Sequence, residues 1–506
     1  MQAVDSVIEA RWVVPVAPRG QVLAEHAVVV DGGRILAVLP RQAVDALYAP
    51  RERICLPTHA LIPGLVNAHM HGHGNLAKGM GDRLTLELLL TAGPWMTGNR
   101  SLEDKYLATL VGAIEMVMKG CTSCYDLTLE FPMPSTEGLD ACARAYAEIG
   151  MRAVVAPMVA GLSFFEAVPG LMEFLPATLQ REVERLRVAP EEASLAAMRA
   201  ALRGWRYDHD HIRPAIAPTV PHHCSDAFLR DCGALAREYG VGLHSHVQES
   251  KVQVIAGLKT YGKTQTAHLQ DLGLLGPNFV AAHGVWLDDD DIARLADHGA
   301  SVAHNPGSNM RLGNGIAAAR RMLDRKLNLG IGTDGANCSD NLNMYEAMRI
   351  ASFASKVRGP DTARWLSTDE VLEAATIGGA RALGFGDRIG RIAPGCKADI
   401  VFLDLATVNW MPLNDATNQL VHTEDGSSVH SLMIGGRMVV ENRRPLGIDM
   451  QALARKVEQA RERLETANAG NKALFERLEG LVNRFCPGMA KTPYHIDHFA
   501  GDHHAH

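Results

Sequence analysis

Three short apolar runs, Phe279-Val-Ala-Ala-His-Gly284, Ala300-Ser-Val-Ala-His304 and Leu327-Asn-Leu-Gly-Ile-Gly-Thr-Asp334, decide how the chain folds. Each has the length of a buried strand, each carries a histidine or an aspartate at or next to its carboxyl end, and helical stretches separate them. Working outward, five more runs of the same kind lie at 61–69, 121–127, 151–159, 212–220 and 241–247. Alternating strand and helix is the pattern of βα units around a parallel sheet. One connecting helix shows the logic: Ser101 with Asp104 offers a capping box, Leu107, Leu110, Val111, Ile114 and Val117 form an apolar face, and Gly120 ends it. Eight units predict an α/β fold, a (β/α)8 TIM-like barrel with its active site at the carboxyl ends of the strands.

The chain ends read differently. Ala27–Val30, the turn Asp31-Gly-Gly33 and Ile35–Val38 form a hairpin, and 397–403, 429–434 and 437–440 repeat that texture more than three hundred residues later. Residues 1–60 and 393–446 are therefore expected to build one small β-sandwich domain from both ends, with 61–392 as the catalytic barrel. From 447 to 506 Leu453, Val457, Ala460, Leu464, Leu474, Leu478 and Leu481 recur at helical spacing, a helical extension expected to pack on its own barrel. It closes in a His-rich tail, Asp502-His-His-Ala-His506.

The 506 residues carry 50 Lys+Arg against 57 Asp+Glu, a net charge of -7, which argues against a basic nucleic-acid binder. The longest apolar stretch, 88–96, is short and broken by Gly93 and Pro94, so no membrane span is expected. Acidic Asp5 and Glu9 near the start do not read as a secretory signal, and the nine cysteines are odd in number and scattered, as for reduced thiols. A cytoplasmic protein is the expectation. Cys121-Thr-Ser-Cys124 has metal or redox spacing but lies inside a predicted barrel strand, and is read as packing.

The chemistry gathers at the strand ends. In Asn67-Ala-His-Met-His71, residues two apart face one side of an extended strand, so His69 and His71 aim at a common point. His244-Ser-His246-Val-Gln-Glu249, His283, His304 and Thr333-Asp334-Gly335 end four further strands. Their convergence in one barrel mouth brings together imidazoles and a carboxylate that can hold a catalytic metal with a position left for water. The other zinc-deaminase architecture needs His-x-Glu followed by Pro-Cys-x-x-Cys, and the sequence has neither.

Pro63-Gly-Leu-Val-Asn-Ala-His-Met-His71, His246 with Glu249, Ala282-His283-Gly284, His304-Asn-Pro-Gly-Ser-Asn309, Gly332-Thr-Asp-Gly335, Val371-Leu-Glu-Ala-Ala-Thr-Ile-Gly-Gly-Ala-Arg381 and Gly395-Cys-Lys-Ala-Asp399 resemble the amidohydrolase superfamily. The chain is most similar to the mononuclear cytosine-deaminase-like branch, with its adenosylhomocysteine, methylthioadenosine and guanine deaminases and triazine hydrolases. The resemblance implies that His69, His71, His246 and Asp334 bind the metal, that Asp334 and Glu249 move protons, and that His283 orients the attacking water or polarises the target. It implies substrate contacts from His304, Asn305, His222, His223 and Thr219, and a packing role behind the ligands for His244. Binuclear members carry a lysine at the end of strand four; here that stretch reads Ala215-Ile-Ala-Pro-Thr-Val220, so one divalent metal per subunit is expected, Zn2+ by default with Fe2+ or Mn2+ as alternatives.

The implied function is hydrolytic deamination of an amino-substituted nitrogen heterocycle, a purine, pterin, pyrimidine or s-triazine, by a homo-oligomer, dimer or tetramer. Alternatives are displacement of chloride or alkylamine from such a ring, cleavage of a urea or carbamate, and a non-catalytic barrel scaffold. Where nucleoside-deaminating members read Pro-His after strand four and carry a tryptophan after strand one, this chain has Pro218-Thr219 and Leu89, which argues against an adenosylhomocysteine-type substrate. The insertion 161–187, with Phe164, Phe165 and Phe174, is expected to form a lid or wall.

Overall fold

The computed structural model describes residues 1–499; the His-rich tail lies outside the described residues. All eight expected runs are strands: Leu65–Met70, Cys121–Thr128, Arg152–Val159, Ile212–Pro218, Gly242–Val247, Phe279–His283, Ser301–His304 and Asn328–Ile331. They pair in parallel and in chain order. The eighth strand meets the first through a side chain: Asn67 Nδ2 donates to Thr333 Oγ1 at 2.8 Å and Asn67 Oδ1 accepts from Thr333 N at 3.1 Å. Asp334 N then donates to His69 O at 3.0 Å, so the closing seam of the barrel passes directly under the candidate ligands. Gly64 opens the first strand because a Cβ there would lie 2.0 Å from Thr122 Oγ1 of the second.

The connecting helix Leu102–Met118 begins at the expected capping box, Asp104 N donating to Ser101 Oγ at 3.1 Å and Ser101 N to Asp104 Oδ2 at 3.0 Å. Leu107, Leu110, Ile114 and Val117 are buried against the barrel, as the spacing requires.

Both chain ends do share one β unit, a mixed nine-stranded sheet in which eight strands follow one hydrogen-bonded path and the two-residue strand Leu23–Ala24 pairs beside it with Gln2–Val13. The sixteen-residue strand Tyr48–Pro63 makes this possible: it pairs in parallel with Gln2–Val13 on one side and antiparallel with Ile400–Asp404 on the other. Ile8, Val28, Val30, Leu61, Ile400, Phe402 and Met433 from the two halves bury one another in a common cluster. The sheet is fastened to the barrel by a buried ion pair, Arg152 Nη2 to Asp399 Oδ1 at 3.2 Å, and by Gly64 N donating to Asp399 O at 2.9 Å.

The extension forms two helices, Met450–Ala467 and Ala469–Ala490, and packs on its own barrel. Leu478, Val482 and Cys486 of the second helix bury against Leu88, Phe164, Phe165, Val252 and Ile255, which follow the first, third and fifth strands. The insertion and the extension thus wall one side of the barrel mouth. Among the described residues no helix is long and apolar enough to cross a membrane.

Candidate metal centre and active site

His69, His71, His246, His283 and Asp334 meet at the carboxyl ends of the first, fifth, sixth and eighth strands. Ring centroids of His69 lie 4.8 Å from His71, 5.1 Å from His246 and 5.3 Å from His283. The protons on two of these rings follow from their partners. His71 Nδ1 is 2.7 Å from Leu127 O and His246 Nδ1 is 2.6 Å from Thr219 O. A carbonyl only accepts, so each Nδ1 carries hydrogen, the tautomer that turns Nε2 of a neutral ring into the acceptor. Yet the two Nε2 atoms face each other at 3.2 Å, and His71 Nε2 also faces Asp334 Oδ1 at 3.2 Å. His69, wholly buried, has no hydrogen-bond partner for either ring nitrogen.

Burial pushes His69 down to about 3 and His246 well below the ordinary imidazole value, so a proton on either of these two rings does not relieve the crowding. A cation does. Donor atoms of His69, His71 and His246, and of His69, His283 and Asp334, lie within 4.8 Å of one another. Three imidazoles and one carboxylate are a fitting donor set for a divalent transition metal, with His71 and His246 oriented from behind by backbone carbonyls as such ligands are.

Asp334 is set by its surroundings. Gly335 N donates to its Oδ1 at 2.8 Å and Ser308 Oγ to its Oδ2 at 2.5 Å. Burial alone would raise its pKa, but His69, His71 and His283 outweigh it and hold the carboxyl well below its usual range. Glu249 is the opposite case. Burial and the nearby Asp334 and Glu87 push it well above the usual range, against hydrogen bonds from Asn314 and Gln253. Two carboxyls with pKa values driven apart are suited to opposite halves of acid–base work.

His283 stands between them. Its Nδ1 donates to Asn309 Oδ1 at 2.9 Å, which leaves Nε2 free, 3.6 Å from Glu249 Oε2 and 3.8 Å from Asp334 Oδ2. His283 (φ 68°) and Asp334 (φ 66°) both lie in the left-handed region, as does Gln248 (φ 49°) beside Glu249. Non-glycine residues in that region cost about 1–3 kcal/mol each and gather at functional sites.

Other sequence candidates are placed differently. His244 is buried behind the cluster, edge-on to Tyr125 at 4.4 Å and tilted over His69 at 5.0 Å. Thr219 serves His246 through its carbonyl, while its hydroxyl faces Met158. His222 Nδ1 accepts from Gln265 Nε2 at 2.9 Å, and His223 O accepts from Gly161 N and Leu162 N, pinning the start of the insertion. His304 is buried with Nδ1 unpartnered, and Asn305 Nδ2 lies 3.4 Å from His283 Nδ1. Cys121 and Cys124 are buried thiols raised by that burial, Cys121 to about 12.

Sequence reasoning missed several residues here. Ser308 and Asn309 stood in the quoted 304–309 segment without a role, Asn314 and Gln253 gave no signal, and His73, buried with its ring 5.1 Å from His71, extends the His-x-His pattern by one more step.

The sequence model of the amidohydrolase family matches residues 60–439, a span that includes every residue of this cluster. The chain belongs to the amidohydrolase family. It is 30% identical over 463 residues to a 5'-deoxyadenosine deaminase of Methanosarcina mazei, covering 91% of this chain and 98% of that one. It is 32% identical over 454 residues to a 5-methylthioadenosine/S-adenosylhomocysteine deaminase of Syntrophobacter fumaroxidans, covering 90% and 97%. An adenosine deaminase from Xanthomonas campestris, solved with bound zinc, matches with a TM-score of 0.82 at 32% identity over 92% of this chain and 99% of that one. Atrazine chlorohydrolase of Arthrobacter aurescens shares this amidohydrolase fold, with a TM-score of 0.80 at 23% identity over 90% and 100%.

Proposed function

We propose that this amidohydrolase is a metal-dependent hydrolytic deaminase of an amino-substituted nitrogen heterocycle. The observation that carries the proposal is geometric: Asp334 and Glu249 flank His283 Nε2 at 3.8 and 3.6 Å beside the facing ring nitrogens of His71 and His246, with the Asp334 carboxyl held below its usual range and that of Glu249 pushed above it. His69, His71, His246 and Asp334 would hold the cation, one per subunit and zinc by likeness to the Xanthomonas enzyme. When bound, the metal supplies Lewis acidity that lowers the pKa of a water molecule in the site.

The chain's own residues then account for the protons. Asp334 takes one from the attacking water as its oxygen bonds to the amino-bearing ring carbon. Glu249 gives its proton to the adjacent ring nitrogen, and His283 Nε2 holds the attacking oxygen in line. As the carbon–nitrogen bond breaks, the proton on Asp334 leaves with the amino group as ammonia, and Glu249 recovers its own from the product hydroxyl. Water and the amino compound become the oxo compound and ammonia.

The names of the relatives put 6-aminopurine nucleosides first among the substrates, with free aminopurines, pterins, pyrimidines and triazines behind them. Thr219, His222, His223, His304 and Asn305 are assigned to the substrate side of the site. The proposal includes a cytoplasmic homo-oligomer, dimer or tetramer: eight of the nine cysteines are buried among apolar neighbours, which suits a reducing compartment. The test is ammonia release by metal-loaded protein over that panel, with Asp334→Asn as the blank. Release from one ring class supports the deaminase. A metal-loaded protein that releases chloride or alkylamine but no ammonia replaces it with the displacement alternative.

A further inference from the structure

The segment that follows the seventh strand touches Asp334, Glu249 and His283, the two proton carriers and the imidazole that holds the attacking oxygen. Ser308 Oγ donates to Asp334 Oδ2, Asn309 Oδ1 accepts from His283 Nδ1, and Asn314 Nδ2 donates to Glu249 Oε1 at 3.1 Å. The backbone ties two of these residues together, Asn314 N donating to Asn309 O at 2.8 Å. A single stretch, 305–317, therefore sets the orientation of the base, the imidazole and the acid.

That stretch does not hold itself. Asn314 O accepts from Trp286 Nε1 at 2.8 Å, and Trp286 is fully buried with Phe499 edge-on at 4.9 Å and His498 tilted at 5.5 Å. Two reciprocal hydrogen bonds join the same place to the last described residues: Ile316 N donates to His498 O at 2.8 Å, and His498 Nδ1 donates to Ile316 O at 3.0 Å. Between them Gly315 sits at φ +114°, where a Cβ would come 2.7 Å from His498 O. Only glycine allows the two backbones to lie this close. Tyr494 and Ile496 complete the contact by packing with Val254, Val285 and Trp286, and His495 Nε2 reaches Asp288 Oδ2 at 3.0 Å.

We propose that residues 494–499 act as a brace for catalysis: by holding Trp286 and residues 315–316 they fix Asn314, and Asn314 aims the Glu249 carboxyl for proton transfer. Asn314 is thus a positioning residue, and the brace acts through it. The proposal rests on the assignment of Glu249 as the proton carrier.

The test is a double-mutant cycle in full-length, metal-loaded protein, with kcat and KM read on the substrate that the ammonia panel identifies. Asn314→Ala is expected to lower kcat about 10-fold or more with KM within about 3-fold, since the misaimed group acts in the chemical step. Replacing His498 and Phe499 together by Ala is expected to lower kcat about 3- to 10-fold with the same split, metal content unchanged. Adding these to Asn314→Ala should lower kcat no further, because groups acting in series are not additive. If the pair does not accumulate as folded protein, His498→Ala alone carries the cycle. Brace variants with full kcat, or brace and Asn314 effects that multiply, overturn the proposal. Glu249→Gln separates the two failures: full turnover in that variant removes the assignment of Glu249 itself, whereas loss of turnover there with unaffected Asn314 and brace variants removes only the brace.

Discussion

Asp399→Ala tests how the sheet is fastened to the barrel. The Asp399 side chain is 2% exposed and that of Arg152 3%, and the guanidinium reaches the carboxylate through Nη2 at 3.2 Å and Nε at 3.3 Å. Gly435 N also donates to Asp399 Oδ1, at 2.7 Å. Removing one partner of a buried pair costs about 3–5 kcal/mol, because the remaining charge is left in a poor solvent. Here Arg152 keeps a hydrogen bond to Asp210 O and the face of Phe385 at 5.5 Å, which places the cost near the lower end, about 3 kcal/mol. An unfolding entropy of about 2 cal/mol/K per residue gives roughly 1 kcal/mol/K for a chain of 506 residues, hence a melting temperature lower by about 3 °C. Calorimetry on metal-loaded protein reads this directly, and kcat of the folded variant should be unchanged because the pair lies at the far side of the barrel from the metal centre. The double variant Arg152→Met/Asp399→Leu should recover much of the loss, since an apolar pair leaves no stranded charge. A single variant that melts within half of the expected shift, or a double variant worse than the single one, refutes the reasoning.

Asp334→Asn should fold and lose about 10²–10⁴-fold in kcat, as it removes a general base and weakens a ligand; ammonia release measures it, and near-native turnover sinks the mechanism. Ser308→Ala, which deletes a charge-assisted hydrogen bond to Asp334 worth about 1.5–3 kcal/mol, should lower kcat about 10- to 150-fold and the melting temperature by about 1.5–3 °C. Stripping the metal with a chelator should lower the melting temperature, and the cation that restores it most at equal concentration is the one the site favours; no response to Zn2+, Fe2+ or Mn2+ would count against the donor set. Glu115 is depressed below its ordinary 4.5, burial being outweighed by Lys78, Lys119 and Leu342 N. Its contribution is therefore present above about 4.5 and is lost as pH falls through the lowered value. Glu115→Gln should cost about 1 kcal/mol at neutral pH and converge with the parent in acid urea titrations; parallel curves would refute the assignment.

The barrel was legible because each strand is a short apolar run and six of its site residues sit at or just past strand ends, where alternation and position both constrain them. The β unit from both chain ends was legible as texture, but the single path that joins eight of its nine strands was not. That path depends on Tyr48–Pro63 pairing on both edges at once, and no local pattern announces a shared strand. The supporting residues were legible least of all. Thr219 was singled out as a side chain and acts on His246 by its carbonyl, which every residue possesses. Ser308, Asn309 and Asn314 are polar residues in a connecting stretch without period, and His498 reaches Ile316 from 182 positions away.

The same strained corners explain why those supports are needed. A strand alone sends alternate side chains to opposite faces, so the residue that ends it has no reason to point into the mouth. At His283 and Asp334 the backbone turns to positive φ and redirects the side chain, at about 1–3 kcal/mol each. Such a turn persists only where neighbouring bonds over-determine it. At His283 they are Gly284 N to Val247 O at 3.1 Å and the Nδ1 bond to Asn309; at Asp334 they are its own N to His69 O at 3.0 Å and the bonds from Gly335 N and Ser308. Apart from Gly335, the next residue in the chain, every one of these partners comes from the adjacent strand end or from the 305–317 stretch. The strain that aims the catalytic groups and the contacts that brace them are therefore one device, and loosening the stretch should be felt in kcat before it is felt in the fold.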